Sequence, residues 1–239
     1  MKPNFENIVK QFAFEGKFIE ANPYGSGHIN DTYAASFQKA DGATHRYILQ
    51  RINDSVFKEP AKLMENIDGI TKHLRNKIVL SNGNTERETL NIIPTKNGES
   101  FLITEEGDYW RGYVFIEDAR TYDVVENQKH FYNAGNAFGK FQKLLSDFPA
   151  ERLFETIPNF HDTKKRYATF IEAVNNDVVK RAESVKNEIN FVKKREKDAS
   201  VFVDLLKIGQ LPLRVTHNDT KFNNVMIDNK TGEGVCNRS

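Results

Sequence analysis

Residues 213–228 read LRVTHNDTKFNNVMID, and this stretch decides how the rest of the chain is read. An apolar lead-in, Leu211-Pro-Leu-Arg-Val215, enters a polar segment from Thr216 to Asn223, and a short apolar strand follows over Asn224–Ile227. The polar segment has the form H-x-D-x-x-x-x-N, with His217, Asp219 and Asn224 at the fixed positions. Phosphoryl transfer needs a carboxylate beside the attacking hydroxyl and an oxygen ligand for the Mg²⁺ that bridges the phosphates. Asp219 and Asn224 fill both roles if the loop folds back between them. His217 is expected to brace the loop. Taken alone, the same residues also suit an ordinary polar loop built on Asx turns.

Outward from this loop the chain changes character once, near residue 118. Before it, Lys17–Ala21, Thr32–Phe37, Arg46–Ile52, Leu90–Pro94, Ser100–Thr104 and Tyr109–Ile116 are strand-like runs rich in β-branched and aromatic residues. Asp41-Gly42 and Asn97-Gly98 are hairpin-type turn pairs. Leu63, Ile67, Ile70 and Leu74 predict one inserted helix, with Pro60 near its start. After residue 118 the apolar spacing is helical. One stripe runs Phe131, Ala134, Phe138, Phe141, Leu145 and Phe148, ended by Pro149. A second runs from Tyr167 through Phe170, Val174, Val178, Ala182, Val185 and Ile189 to Val192, with Asp162 as its N-cap. The charged residues opposite it, including Lys193–Lys197, read as a solvated face. The expected organisation is α+β: a strand-rich lobe over 1–117 with one helix, then an incomplete helical lobe over 118–239 that carries the loop 217–224.

Two further segments complete the candidate site. Gly25-Ser26-Gly27-His28-Ile29-Asn30 lies between two strands, where paired glycines let a hairpin fold over a ligand and turn backbone N–H groups toward phosphate. No third glycine gives it a Rossmann form, and the sequence holds no Walker A motif. At Val114-Phe-Ile-Glu-Asp118 an apolar strand runs into an acidic connector, the form of an adenine-binding hinge at Ile116, Glu117 and Asp118 and, taken alone, equally that of an ordinary domain linker.

Composition closes off other classes. The 239 residues carry 34 basic and 33 acidic side chains, a net charge of +1, which argues against a dedicated nucleic-acid binder. The single cysteine, Cys236, excludes a disulfide framework and a Cys-rich zinc site. No apolar run reaches the length of a membrane span, and the N-terminus lacks a signal-peptide core. The expectation is a cytoplasmic globular protein acting on a small molecule, with its oligomeric state open.

The motifs GSGHINDTY (25–33), YILQRIN (47–53), VFKEPAKLMENI (56–67), FIEDARTYD (115–123), IPNFHDTKKRY (157–167) and LRVTHNDTKFNNVMID (213–228) resemble the aminoglycoside phosphotransferase and choline kinase superfamily, small-molecule kinases with a protein-kinase-like fold. As a set they look most like bacterial N-acetylhexosamine 1-kinases. The resemblance implies ATP and Mg²⁺ as cofactors and a sugar as acceptor. It implies Asp219 as the catalytic carboxylate at the anomeric hydroxyl, and Asn224 on Mg²⁺. Gly25, Ser26 and Gly27 would cover the phosphates, with His28 and Asn30 touching phosphate or sugar. A related kinase for an aminoglycoside, choline or homoserine is the alternative acceptor reading, and a nucleotide-binding module without turnover is the non-enzymatic one.

The chain departs from the family pattern twice. Gln50 stands where protein kinases place the lysine that pairs the α/β-phosphates, and Arg51 should face the other side of the strand. The acid on the following helix is not fixed, since Glu65 falls opposite the apolar stripe and Glu59 precedes Pro60. At the other end the chain reads Asn237-Arg238-Ser239 where the family continues to a metal-binding Asp and further helices. The expectation from that departure is a truncated kinase architecture with little or no turnover.

Overall fold

A computed structural model gives the structure of the chain and describes residues 3–25 and 29–237. Two compact units form: one from residues 3–156 with 215–237, the other from 157–214.

In the first unit a short helix α1 (Phe5–Val9) precedes the strands β1 (Lys17–Pro23), β2 (Asp31–Gln38) and β3 (Thr44–Ile52). Helices α2 (Pro60–Leu80) and α3 (Thr85–Glu88) follow, then strands β4 (Ile92–Ile93), β5 (Leu102–Ile103), β6 (Tyr109–Val114) and β7 (Ala119–Arg120). Helix α4 (Gln128–Leu144) comes next, and the unit closes with β8 (Val225–Asp228) and β9 (Gly234–Asn237), separated from α4 in sequence by the second unit. The antiparallel sheet runs β1-β2-β3-β6-β4, with β5 also on β6. A smaller sheet runs β7-β8-β9.

Local chemistry accounts for most of these elements. Pro60 opens α2 at a position where its missing N–H costs nothing. At the β2–β3 hairpin the Asp41 carboxylate accepts the Ala43 N–H and Gly42 sits at φ 86°, the turn expected of Asp-Gly. Asn97-Gly98 also forms a turn, with Gly98 at φ 87°, but it does not make a β4–β5 hairpin. Both short strands pair instead with β6, end to end along one edge: Ile92 opposite Tyr113, and Leu102 opposite Trp110.

The main sheet buries both faces, and the alternation of β3 separates them. Tyr47 and Leu49 join Ile8, Phe12, Phe37 and Trp110 on one face. Ile48 joins Tyr113, Phe115, Ile116, Met226 and Cys236 on the other. Ile52 packs with Met64 and Ile67 of α2. Two glycines allow close approach. A Cβ on Gly112 would stand 2.6 Å from the Phe14 ring, and one on Gly234 would stand 2.7 Å from the Ala137 side chain. These contacts let β6 accept the N-terminal segment and β9 lie against α4.

The second unit holds α5 (Thr163–Asn176), a 3₁₀ turn at Ala182–Val185, α6 (Lys186–Lys193) and α7 (Glu196–Lys207). Asp162 caps α5 as expected, accepting the Lys165 N–H at 2.9 Å. The second apolar stripe is not one helix. It breaks at Asp177, which adopts a left-handed conformation with φ 33° and accepts the N–H groups of Arg181 and Ala182. The first stripe also stops short of Pro149, since α4 ends at Leu144. The change of pattern near residue 118 marks the end of the larger sheet, whereas the compact units divide at 156/157 and 214/215.

Candidate active site

Strands β8 and β9 bring the polar loop to the second face of the sheet. Asn224 is the last residue before β8, and Met226, two residues on, packs against Ile48, Tyr113, Phe115 and Ile116. An apolar slot of about 20 Å³ opens there, walled by Ile48, Tyr24, Tyr113 and Phe115 and floored by Met226. The space admits a water-sized body, so a planar heterocycle enters only as the walls part.

The loop folds back on itself. The Asn224 Nδ2 donates to the Asp219 Oδ2 and to the Asp219 carbonyl, both at 2.8 Å. Its amide oxygen therefore turns away from the carboxylate, toward any cation beside it. Lys221 Nζ lies 3.5 Å from the same Asp219 oxygen. His217 packs edge-on against Phe138 and Phe141 of α4, with ring centroids 5.1 and 5.6 Å apart. Asn218 takes φ 63°, and Asn223 donates to the Asp123 carboxylate at 3.0 Å. Asp123, on the segment after β7, anchors the loop and was not singled out from the sequence.

Of the three residues expected at the hinge, Ile116 lines the slot. Ile116 is buried in its wall. Glu117 directs its carboxylate away to Arg46, whose Nε lies 2.9 Å from Oε1 and whose guanidinium covers the Phe115 ring at 3.8 Å. The hydrogen bonds to Glu117 raise the Arg46 pKa further. Asp118 has φ 54°, and its carbonyl accepts the Asn229 N–H at 2.9 Å, tying the hinge to the β8–β9 turn. Glu117 and Asp118 are not among the residues that line the slot.

Of the hairpin, Gly25 is described, at φ 85°, a conformation that suits glycine. Ser26, Gly27 and His28 lie outside the described residues. Asn53 donates twice, from its backbone N–H to the Asn30 side-chain oxygen at 2.9 Å and from its side-chain amide to the Ile29 carbonyl at 3.0 Å. These bonds tie Ile29 and Asn30 to the segment that follows β3.

Gln50 is buried on the slot face, one step beyond Ile48. Arg51 points the other way, as expected, to Asp31 and Asp108. Arg111 of β6 stands directly across from Gln50, and its Nε donates to the Gln50 Oε1 at 2.9 Å. Burial pushes the pKa of this guanidinium down. Neither acid considered on α2 comes here. Glu59 pairs with Lys62, Glu65 is exposed, and Met64 is the residue that faces Arg111, with Sδ 4.0 Å from Nη1. The sequence held one signal for Arg111: a lone charge in the apolar run YWRGYV.

Among the described residues no group of three or more His, Cys, Asp or Glu is placed to hold a metal ion. The Asn224 amide oxygen, turned away from Asp219, is one hard donor that would suit a Mg²⁺ ion taking its other oxygens from phosphate and water. No helix among the described residues is long and apolar enough to cross a membrane.

The antiparallel sheet with its packed helices, and the Asp–Asn loop leading into β8, make up a protein-kinase-like fold. The family model described as "Phosphotransferase enzyme family" (APH) matches residues 20–236, and the chain belongs to that family. Among solved structures, "Amicoumacin kinase hAmiN in complex with AMP-PNP, Ca2+ and Ami" is similar, with a TM-score of 0.51 and 14% identity over 95% of this chain and 60% of that one. An aminoglycoside phosphotransferase from Alicyclobacillus acidocaldarius follows at a TM-score of 0.48 and 10% identity, covering 87% of this chain and 54% of that one. A spectinomycin phosphotransferase, in complex with ADP and spectinomycin, gives a TM-score of 0.44 and 14% identity, covering 93% of this chain and 62% of that one. The chain thus spans less than two thirds of the length of each.

Proposed function

We propose that this chain carries the nucleotide slot and catalytic loop of a kinase that transfers the γ-phosphoryl group of Mg·ATP to a hydroxyl of a small molecule. One observation carries the reading: the Asp219–Asn224 loop runs straight into the strand whose Met226 floors an apolar slot beside the hinge. Adenine in the slot would direct its phosphates past Gln50 toward Asp219. Asp219 would orient the acceptor hydroxyl and take its proton as the oxygen attacks phosphorus. The Asn224 amide holds that carboxylate in place through its nitrogen and offers its oxygen to the metal. Bound Mg²⁺ supplies charge neutralisation at the transferring phosphate. Little covalent work falls to the protein, so positioning and charge carry the catalysis.

The acceptor we favour is the anomeric hydroxyl of an N-acetylhexosamine, giving the sugar 1-phosphate and ADP. The motif set quoted above, taken together, supports this choice. The family relatives act on antibiotics by their names, so an aminoglycoside-like alcohol is the competing acceptor.

The test is ATP consumption with Mg²⁺ and N-acetylglucosamine, N-acetylgalactosamine, an aminoglycoside, choline or homoserine, alongside an Asp219→Asn control. Sugar-dependent turnover lost in the control supports the full reading. Turnover with another acceptor keeps the kinase and removes the sugar. Nucleotide binding without turnover reduces the function to binding, and the absence of both turnover and binding would refute the proposal.

A further inference from the structure

Gln50 is the wrong residue for a kinase strand that needs a cation facing the phosphates, and its surroundings explain how it serves. The side chain is buried between the slot-wall residue Ile48 and the α2-packed Ile52. Its orientation is fixed by chemistry. Arginine has donors only, so the atom 2.9 Å from the Arg111 Nε is the Gln50 oxygen. The amide nitrogen then faces Thr32, with Nε2 at 2.6 Å from Oγ1. An amide nitrogen only donates, so the Thr32 hydroxyl accepts here and its own proton must point elsewhere. Thr32 lies on β2 just after the glycine hairpin, and its carbonyl accepts the Tyr24 N–H at the slot.

The result is a one-way chain of donors: guanidinium to amide, amide to hydroxyl, hydroxyl outward. Each bond polarises the next in the same sense. The chain starts at a charge buried beside Met64 and the Tyr113 ring and ends at the half-buried Thr32, beside the slot.

We propose that Arg111, Gln50 and Thr32 form a phosphate-orienting relay that replaces the missing lysine. Thr32 and the second N–H of Gln50 contact the nucleotide phosphates, and Arg111 is the positioning residue that fixes the amide and supplies the charge behind it. The inference rests on the nucleotide reading above.

Binding of ADP, AMP-PNP and adenosine to the full chain, measured by calorimetry, separates the possibilities. Thr32→Val and Arg111→Met should each weaken ADP and AMP-PNP by about tenfold or more, the scale of hydrogen bonds to a charged group, and leave adenosine within about twofold. Arg111→Lys should recover part of the loss. Gln50→Glu, which turns the donor into an acceptor and adds a negative charge, should be selectively the worst for the phosphorylated ligands. Thr32→Val leaves the buried cation in place, so it still reads the relay if Arg111→Met does not fold. Equal losses for adenosine and ADP would mean a packing role and overturn the inference, as would no loss in any variant. A wild-type chain that binds none of the three ligands would refute the nucleotide reading, and the relay with it.

Discussion

Ile48 and Leu49 are neighbours on β3 that point to opposite faces of the sheet, and replacing each by alanine separates stability from nucleotide binding. Both side chains are almost fully buried, at 4% and 0% exposure, and both lose three carbons. At about 0.8 kcal/mol per buried carbon the transfer loss alone is about 2.4 kcal/mol for each. With the cavity left behind, each variant should be destabilised by about 2–5 kcal/mol. At about 2–4 °C per kcal/mol for a chain of this size, both melting temperatures should fall by roughly 5–15 °C. Their responses to nucleotide should differ. Ile48 walls the slot, whereas Leu49 belongs to the cluster with Phe12 and Trp110 on the far face. Ile48→Ala removes contact with the heterocycle worth about 1–2 kcal/mol, so the Kd for AMP-PNP should rise about tenfold. Leu49→Ala should leave it unchanged. The assay is thermal melting across a titration of Mg·AMP-PNP, because a ligand at about 100 times its Kd adds about 2.7 kcal/mol to the folded state. Equal loss of affinity in both variants, or a larger loss in Leu49→Ala, would refute the assignment of the slot.

Three other outcomes follow from single contacts. Asp219→Asn should lower turnover by at least about a hundredfold and leave the Kd for nucleotide within about twofold, read by coupled assay and calorimetry. Gly112→Ala places a methyl group against the Phe14 ring and should cost about 1–3 kcal/mol in chemical denaturation. Asp228 accepts the Thr231 and Lys230 N–H groups at 2.8 Å and pairs with Arg87 at 2.7 Å, which hold its pKa below the ordinary value. A depressed folded-state pKa gives stability that is present above the unfolded value, about pH 4, and is lost as the pH falls through the folded one. Melting curves of wild type and Asp228→Asn should therefore differ at pH 7 and converge toward pH 2; a constant gap would contradict the linkage.

Short-range chemistry made much of the first unit legible. Pro60 and the apolar spacing placed α2, Asp41-Gly42 placed the β2–β3 turn, and strand alternation set Gln50 against Arg51. The Asp–Asn spacing of the loop also carried its fold-back, since Asn224 does reach Asp219. Arg111 was not legible for a different reason. Its place opposite Gln50 is a register between β3 and β6, and the intervening chain contains α2, α3, β4 and β5. A tight turn fixes a hairpin's register, but nothing local fixes this one. The same nonlocality hid the shared edge of β4 and β5, whose turn at Asn97-Gly98 looked like that of a hairpin.

The break at Asp177 and the order of the 217–224 loop have one physical origin. An apolar stripe reports which side of a segment meets other apolar groups; it does not report whether the backbone runs on without interruption. Asn175, Asn176 and Asp177 are residues whose short polar side chains compete for backbone N–H groups, and Val178 and Val179 after them are poor helix formers. Asp177 wins that competition by taking the N–H groups of Arg181 and Ala182, and Val178 is left 85% exposed instead of continuing the stripe. In the 217–224 loop the same chemistry is put to use. Asn218 tolerates its left-handed φ, Asn224 bonds the backbone and side chain of Asp219, and Asn223 reaches Asp123, so a segment without repeating structure still holds one carboxylate in place. Asn and Asp end regular structure in both places. They build a candidate site in the second because β8 is buried immediately behind the loop, with Val225 and Ile227 fully enclosed.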